Sequence, residues 1–164
     1  MNGSKSPFPQ PEHDHASCVI QALRRAETLC RQRGARLTRL RRRVLELVWN
    51  SHEPVGAYAI LDLMADGATR PAPITVYRAL DFLQAHGLIH RVASLNAFVG
   101  CEHPGRGHGS QFLICRGCRA VAEISDARID RAIEHIVADG GFALTEQRLE
   151  LEGWCRHCRA ARDG

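Results

Sequence analysis

With 164 residues, a net charge of +4 and seven cysteines, the chain has room for one domain or two small ones, each with a thin hydrophobic core. Residues 1–17 are polar, contain three prolines and lack an apolar run, which predicts neither a signal peptide nor a membrane anchor and therefore a cytoplasmic protein. In a reducing compartment the cysteines read as metal ligands, core residues or sensors rather than as disulfides.

The charge is placed unevenly. Residues 1–90 carry 12 basic and 8 acidic side chains, and residues 91–164 carry ten of each. Between Arg24 and Arg43 nine arginines stand against one acid, Glu27, a density expected of a surface that meets phosphates. A solvated helix face is the blander reading, but such faces usually alternate Lys with Glu.

In chain order, residues 1–16, with His13 and His15, are expected to form a disordered tail, because flexible ligands gain little metal affinity without a preformed geometry. The spacing of Ile20, Leu23, Ala26 and Cys30 predicts a helix over 17–33, with Ser17 as N-cap, Gly34 as stop and Cys30 in the core. Thr38 opens a second helix that ends near Asn50 and carries the apolar stripe Leu40, Val44, Leu45 and Val48. A third covers 57–65, with Ile60, Leu61 and Met64 to bury, and Asp66-Gly67 breaks it. A fourth covers 74–86 and is closed by Gly87; Val76, Ala79, Leu80 and Leu83 share one face while Tyr77, Arg78 and Asp81 point away. Strands over 88–93 and 96–101, joined at Ser94-Leu95, read as a hairpin.

Helices followed by a hairpin predict a winged helix over 17–102. Its recognition helix enters the major groove, and the neighbouring helices and wing hold phosphates. In that setting Arg78 reads a base or clamps a phosphate, Tyr77 and Tyr58 contact backbone or thymine methyls, and the arginines near Thr38 grip phosphates.

A hinge linker rich in Gly, Pro and His is expected over 103–110, and a small α/β domain over 111–160. Within it, 111–124 reads as strand, knuckle, strand. A helix over 126–138 turns Ile129, Ile133, Ile136 and Val137 inward, and a final strand covers 142–151. One helix cannot hide both faces and the edges of this sheet, so dimerisation is expected to cover the remainder.

Cys115 and Cys118 form one CxxC pair, and Cys155 and Cys158 form another. Two thiolates two residues apart reach one ion from a tight turn, and two such turns complete a tetrahedron at about 2.3 Å from zinc. The 36 intervening residues require a folded segment between the pairs, so the ion closes a long loop. Two independent redox dithiols are the alternative. Four further residues with ligand chemistry lie near the domain junction: His90, Cys101, His108 and Glu123. Each has an ordinary structural reading by itself, and their joint placement is what singles them out.

The chain resembles the ferric uptake regulator family of metal-dependent repressors, most closely its zinc-sensing branch. The resemblance spans about 22–158 and rests on Arg36-Leu37-Thr38, the run from Thr75 to Leu83, Gly87-Leu88-Ile89-His90, Cys101, Phe112 to Cys118, Glu123, Gly141 to Leu144 and the closing cysteine pair. It implies a structural four-cysteine zinc site and a second, metal-sensing site whose ligands match His90, Cys101, His108 and Glu123. It adds Arg36, Thr38 and Thr75 to Tyr58, Tyr77 and Arg78 as DNA-binding residues. A site with two imidazoles, a thiolate and a carboxylate suits Zn²⁺, whereas iron sensing is expected to use only nitrogen and oxygen.

Many relatives carry a His-His-Asp-His run before the first CxxC, where this chain reads Gly107-His108-Gly109-Ser110. His103, also in the linker, is an alternative to His108. The expectation is a zinc-responsive repressor that binds palindromic operator DNA as a homodimer with two Zn²⁺ per subunit and controls zinc uptake genes. It has no enzymatic activity, no membrane partner and no small-molecule substrate. The alternatives are an iron, manganese or peroxide sensor on the same fold, and a metal-independent DNA-binding module. An enzyme would need an open metal position or a nucleophile–base pair, and the sequence offers neither a phosphate loop nor a carboxylate dyad.

Overall fold

The computed structural model describes residues 7–8, 15–50, 53–65, 71–105 and 110–163. Helices α1 (His15–Gln32), α2 (Arg39–Trp49), α3 (Ala57–Leu63) and α4 (Pro73–Ala85) precede a hairpin of β1 (Ile89–Val92) and β2 (Ala97–Gly100). Strands β3 (Ser110–Cys115) and β4 (Val121–Ile124), helix α5 (Ala127–Asp139), strand β5 (Arg148–Gly153) and helix α6 (Arg156–Asp163) follow.

Local chemistry sets the helix ends. Thr38 is extended, and its hydroxyl accepts the Arg41 N–H at 3.4 Å as the N-cap of α2. Pro73 occupies the first turn of α4, where its missing N–H has no partner to lose. Gly34 and Gly87 stop α1 and α4 with φ of +63° and +64°, a backbone region that disfavours a side chain. Helix α1 begins two residues before the expected cap, so Ser17 lies inside it. The first 16 residues fall largely outside the described set.

Val44, Leu45 and Val48 of α2 pack with Ile60, Leu61, Val76, Leu80 and Leu83 in the first core, which also buries Cys30. The hairpin pairs antiparallel, Ile89 opposite Gly100 and Val92 opposite Ala97, so the N-terminal part is a winged helix. Val55 joins it by exchanging backbone hydrogen bonds of 3.0 and 2.9 Å with Phe98. A single bridging residue has no periodicity to reveal it in sequence.

The C-terminal sheet has the order β4-β3-β5, antiparallel between β3 and β4 and parallel between β3 and β5. Three expectations change here. The last strand covers Arg148–Gly153 rather than starting near residue 142, because residues 142–147 are irregular. Ile136 is not inward but 70% exposed, and α5 buries no residue; Ile129, Ile133 and Val137 are half-buried. The short basic helix α6 was not anticipated.

A second core joins the two parts. Val92 and Val99 of the wing pack with Phe112, Ile114 and Val121 of the sheet, which places the junction residues at a tight seam. Residues 106–109 of the linker lie outside the described set.

Candidate metal centres and nucleic-acid face

Cys115 ends β3, and the turn after it closes through Arg119 N–H to Cys115 O and Cys115 N–H to Ala120 O, both 2.9 Å. The turn swings Cys118 back toward Cys115, while Cys155 and Cys158 lie at the start of α6. The four Sγ atoms lie within 4.8 Å of one another, and Cys118 and Cys155 are 3.9 Å apart. A zinc tetrahedron with bonds of about 2.3 Å has sulfur–sulfur edges of about 3.8 Å, so these donors fit that ion. The Cys155 N–H points at Cys115 Sγ at 3.3 Å, and the Cys158 N–H at Cys155 Sγ at 3.5 Å. Burial pushes the Cys115 thiol up, yet donors led by the backbone N–H groups of Cys155, Cys118 and Gly117 outweigh it and bring it down to about 6. A thiolate is thus stabilised before any ion arrives.

Gly117 matters for space. A Cβ there would stand 2.7 Å from Cys158 Sγ and 3.1 Å from the Trp154 ring. Trp154 is itself covered by Arg162, whose guanidinium sits 4.1 Å from a ring centroid, so α6 folds back over the knuckle.

At the seam, His90 of β1 and Glu123 of β4 meet, Nε2 to Oε1 at 2.9 Å, and Cys101 Sγ is 3.9 Å from the same oxygen. Donor atoms of His90, Cys101 and Glu123 all fall within 4.8 Å of one another. Nitrogen, sulfur and oxygen donors converge there, a set that suits zinc. The other Glu123 oxygen accepts the Glu102 N–H at 2.9 Å, and Phe112 packs edge-on against the His90 ring. Burial, followed by the Glu123 carboxylate, pushes the Cys101 thiol up to about 12. His108 lies outside the described residues, and His103 is exposed and not part of the cluster.

Four of the candidate nucleic-acid residues lie near the starts of α3 and α4 and are exposed. Tyr58 is 72% exposed and Tyr77 37%, and Thr75 and Arg78 are also exposed. Arg36 is exposed before α2, whereas Thr38 is half-buried with its hydroxyl engaged in the cap. Five of the nine clustered arginines have structural partners that the sequence did not reveal. Arg25 donates to Glu102 O, Arg33 to His86 O and Arg41 to Arg36 O, and Arg42 and Arg43 pair with Glu27 and Glu46. Arg24, Arg31, Arg36 and Arg39 have no side-chain partner among the described residues.

Sequence reasoning missed Glu150, whose carboxylate reaches the hairpin turn, and Gln111, a fully buried amide that donates to Asp130 at 2.6 Å. Only the alternating pattern of β5 hinted at the former, and it does not say what the carboxylate meets.

The ferric uptake regulator family model matches residues 32–152. The zinc uptake regulation protein of Escherichia coli (strain K12) is 38% identical over 141 residues, spanning 84% of this chain and 81% of that protein. A crystal structure of holo XcZur overlays with a TM-score of 0.79 at 41% identity, covering 85% of this chain and 98% of the other. A zinc uptake regulator complexed with zinc and DNA overlays with a TM-score of 0.83 at 35% identity, covering 89% and 98%. With the winged helix, the seam and the cysteine cluster in place, a match of this length makes the chain a member of the ferric uptake regulator family.

Proposed function

We propose that this protein is a zinc-responsive transcriptional repressor, binding palindromic operator DNA as a zinc-loaded homodimer and controlling zinc uptake genes. The observation that carries the reading is the convergence of His90, Cys101 and Glu123 where wing meets sheet. An ion shared by β1, β4 and the end of the hairpin ties the DNA-reading part to the rest of the molecule. Similarity to a regulator solved with zinc and DNA points the same way.

In this reading each subunit holds two zinc ions. Cys115, Cys118, Cys155 and Cys158 hold the structural one, and His90, Cys101, Glu123 and His108 hold the regulatory one. Residues 17–102 form the DNA-binding domain, 103–110 the hinge and 111–160 the dimerisation domain. Arg36, Thr38, Tyr58, Thr75, Tyr77 and Arg78 face the operator, Thr38 through the helix end that it caps. The protein acts in the cytoplasm as a regulator and not as an enzyme; among the described residues no helix is long and apolar enough to cross a membrane.

Binding of an AT-rich inverted repeat against buffered free zinc, in wild type and His90→Ala, tests the reading. Both proteins should retain one tightly held zinc per subunit, and only the wild type should gain operator affinity as zinc rises, by about 5- to 150-fold. Equal binding by both proteins with and without added zinc would refute it.

A further inference from the structure

Glu123, Phe112 and Glu150 form one row across the C-terminal sheet, because Phe112 of β3 stands opposite Glu123 of β4 and opposite Glu150 of β5. Cross-strand partners share a face, and this row is the one on which the wing sits. At one end Glu123 meets His90 and the Glu102 N–H. In the middle Phe112 packs with Val92 and Val99 of the wing and against the His90 ring. At the other end Glu150 accepts two consecutive backbone N–H groups of the hairpin turn, Ala93 at 2.7 Å and Ser94 at 3.0 Å, one on each carboxylate oxygen. These bonds join residues 57 and 56 positions apart in the chain.

We propose that Glu150 is an interdomain latch, a positioning residue that fastens the tip of the wing to the C-terminal sheet and thereby sets how readily the hinge site takes up its ion. Two bodies held at one point still pivot about it. An ion bound by His90, Cys101 and Glu123 supplies one such point. Glu150 supplies a second, two strand spacings away, or about 10 Å, and the pair of points restricts how the wing can pivot.

The turn N–H groups of Ala93 and Ser94 belong to exposed residues, so when the wing undocks they return to water at little cost, and Glu150 contributes only to the docked arrangement. The Ser94 hydroxyl and both N–H groups hold the Glu150 carboxyl below its usual range despite the burial that raises it, so the anion is the form that is bound. An ion that needs the docked arrangement binds with an apparent affinity reduced by the fraction docked. Loss of the latch therefore weakens metal uptake without altering any metal ligand or any residue that faces DNA.

The functional half of this inference rests on the zinc-responsive reading, and the test separates the two. Full-length wild type, Glu150→Ala, Glu150→Gln and Ser94→Ala, each confirmed to keep its dimeric mass and one tightly bound zinc per subunit, are titrated with buffered zinc in the presence of the inverted repeat. Hydrogen exchange of the peptide containing Ala93 and Ser94 is followed in parallel. In Glu150→Ala the turn should lose protection and the free-zinc midpoint should rise on the order of tenfold, the effect expected when hydrogen bonds to a charged group are lost. At saturating zinc, operator affinity should return to within about twofold of wild type. Glu150→Gln and Ser94→Ala should shift the midpoint the same way, by less.

An unchanged exchange rate, an unchanged midpoint, or a loss of operator binding that excess zinc does not restore would each overturn the latch. If wild type itself binds the operator irrespective of zinc, the zinc-responsive reading fails instead. The latch is then judged by exchange alone: faster exchange in Glu150→Ala supports it, and equal exchange overturns it.

Discussion

Thiol protons set the pH dependence of both candidate metal centres. Cys115 sits among backbone N–H donors that bring it down to about 6, whereas burial and the Glu123 carboxylate push Cys101 up to about 12. At neutral pH an ion entering the seam must displace the Cys101 proton, as one entering the cysteine cluster must displace that of Cys158, pushed up to about 12 chiefly by its contact with Cys155. Because the displaced proton is a product of binding, hinge-site affinity should rise with pH. This residue alone contributes about tenfold per pH unit between 6 and 8, and competition with a chelator of known affinity would measure it. In Cys101→Ser that share of the slope should vanish along with most of the affinity.

The structural site has its own sensitive position, Gly117, where an added Cβ would stand 2.7 Å from Cys158 Sγ. Gly117→Ala should therefore lose its tightly held zinc to a chelator at least about tenfold faster than wild type, a barrier change of about 1.4 kcal/mol. Gly153→Ala, whose Cβ would meet nothing within 4 Å, should behave as wild type.

At the scale of elements, α5 presents the sharpest departure from expectation. Its apolar positions have helical spacing, which predicts a buried face, but the single chain offers the helix only partial cover. What ties α5 to the sheet is polar: Asp130 accepts from the buried Gln111 at 2.6 Å and from Gln147 at 3.1 Å. Asp130→Ala would strand the Gln111 amide in a site with no exposure, and chemical denaturation should show a loss of about 1–3 kcal/mol.

Beyond that pin, Ile136 at 70%, Phe142 at 64% and Leu151 at 45% exposure leave apolar surface uncovered on this part of the chain. In the proposed homodimer, such surface is where the second copy packs. Ile136→Glu should shift the protein toward monomer in sedimentation at micromolar concentration while leaving the cysteine-bound zinc in place. An unchanged mass would remove Ile136 from that contact.

For the whole molecule, what could be read in sequence was whatever local periodicity and spacing record. The four N-terminal helices, the hairpin, the strand–knuckle–strand and the doubled CxxC each follow from side-chain types a few residues apart, and the structure forms them close to the expected bounds. The amphipathic period of α5 was legible too, but the period cannot say whether a partner face exists in the same chain, and Ile136, 70% exposed, finds no cover among the described residues. The arginine run was legible as charge, yet whether a given arginine serves a carbonyl, a carboxylate or solvent depends on what other elements bring beside it. Tertiary structure alone placed Arg25 on Glu102 O and Arg33 on His86 O.

The same reason separates the two ends of the seam. His90, Cys101 and Glu123 were visible as residues with ligand chemistry, and the fold gathered them within 4.8 Å. Glu150, an acid in an alternating strand, carried no such mark, and its role appears only when the hairpin turn arrives above it. By itself the sequence determined most of the elements, α6 and the start of β5 excepted, together with the cysteine pairs and the family, because these depend on near neighbours or on motif spacing. Only the tertiary structure decided which face of the sheet receives the wing and which carboxylates hold it there, because contacts between residues 21 to 57 positions apart are set by packing and not by local propensity.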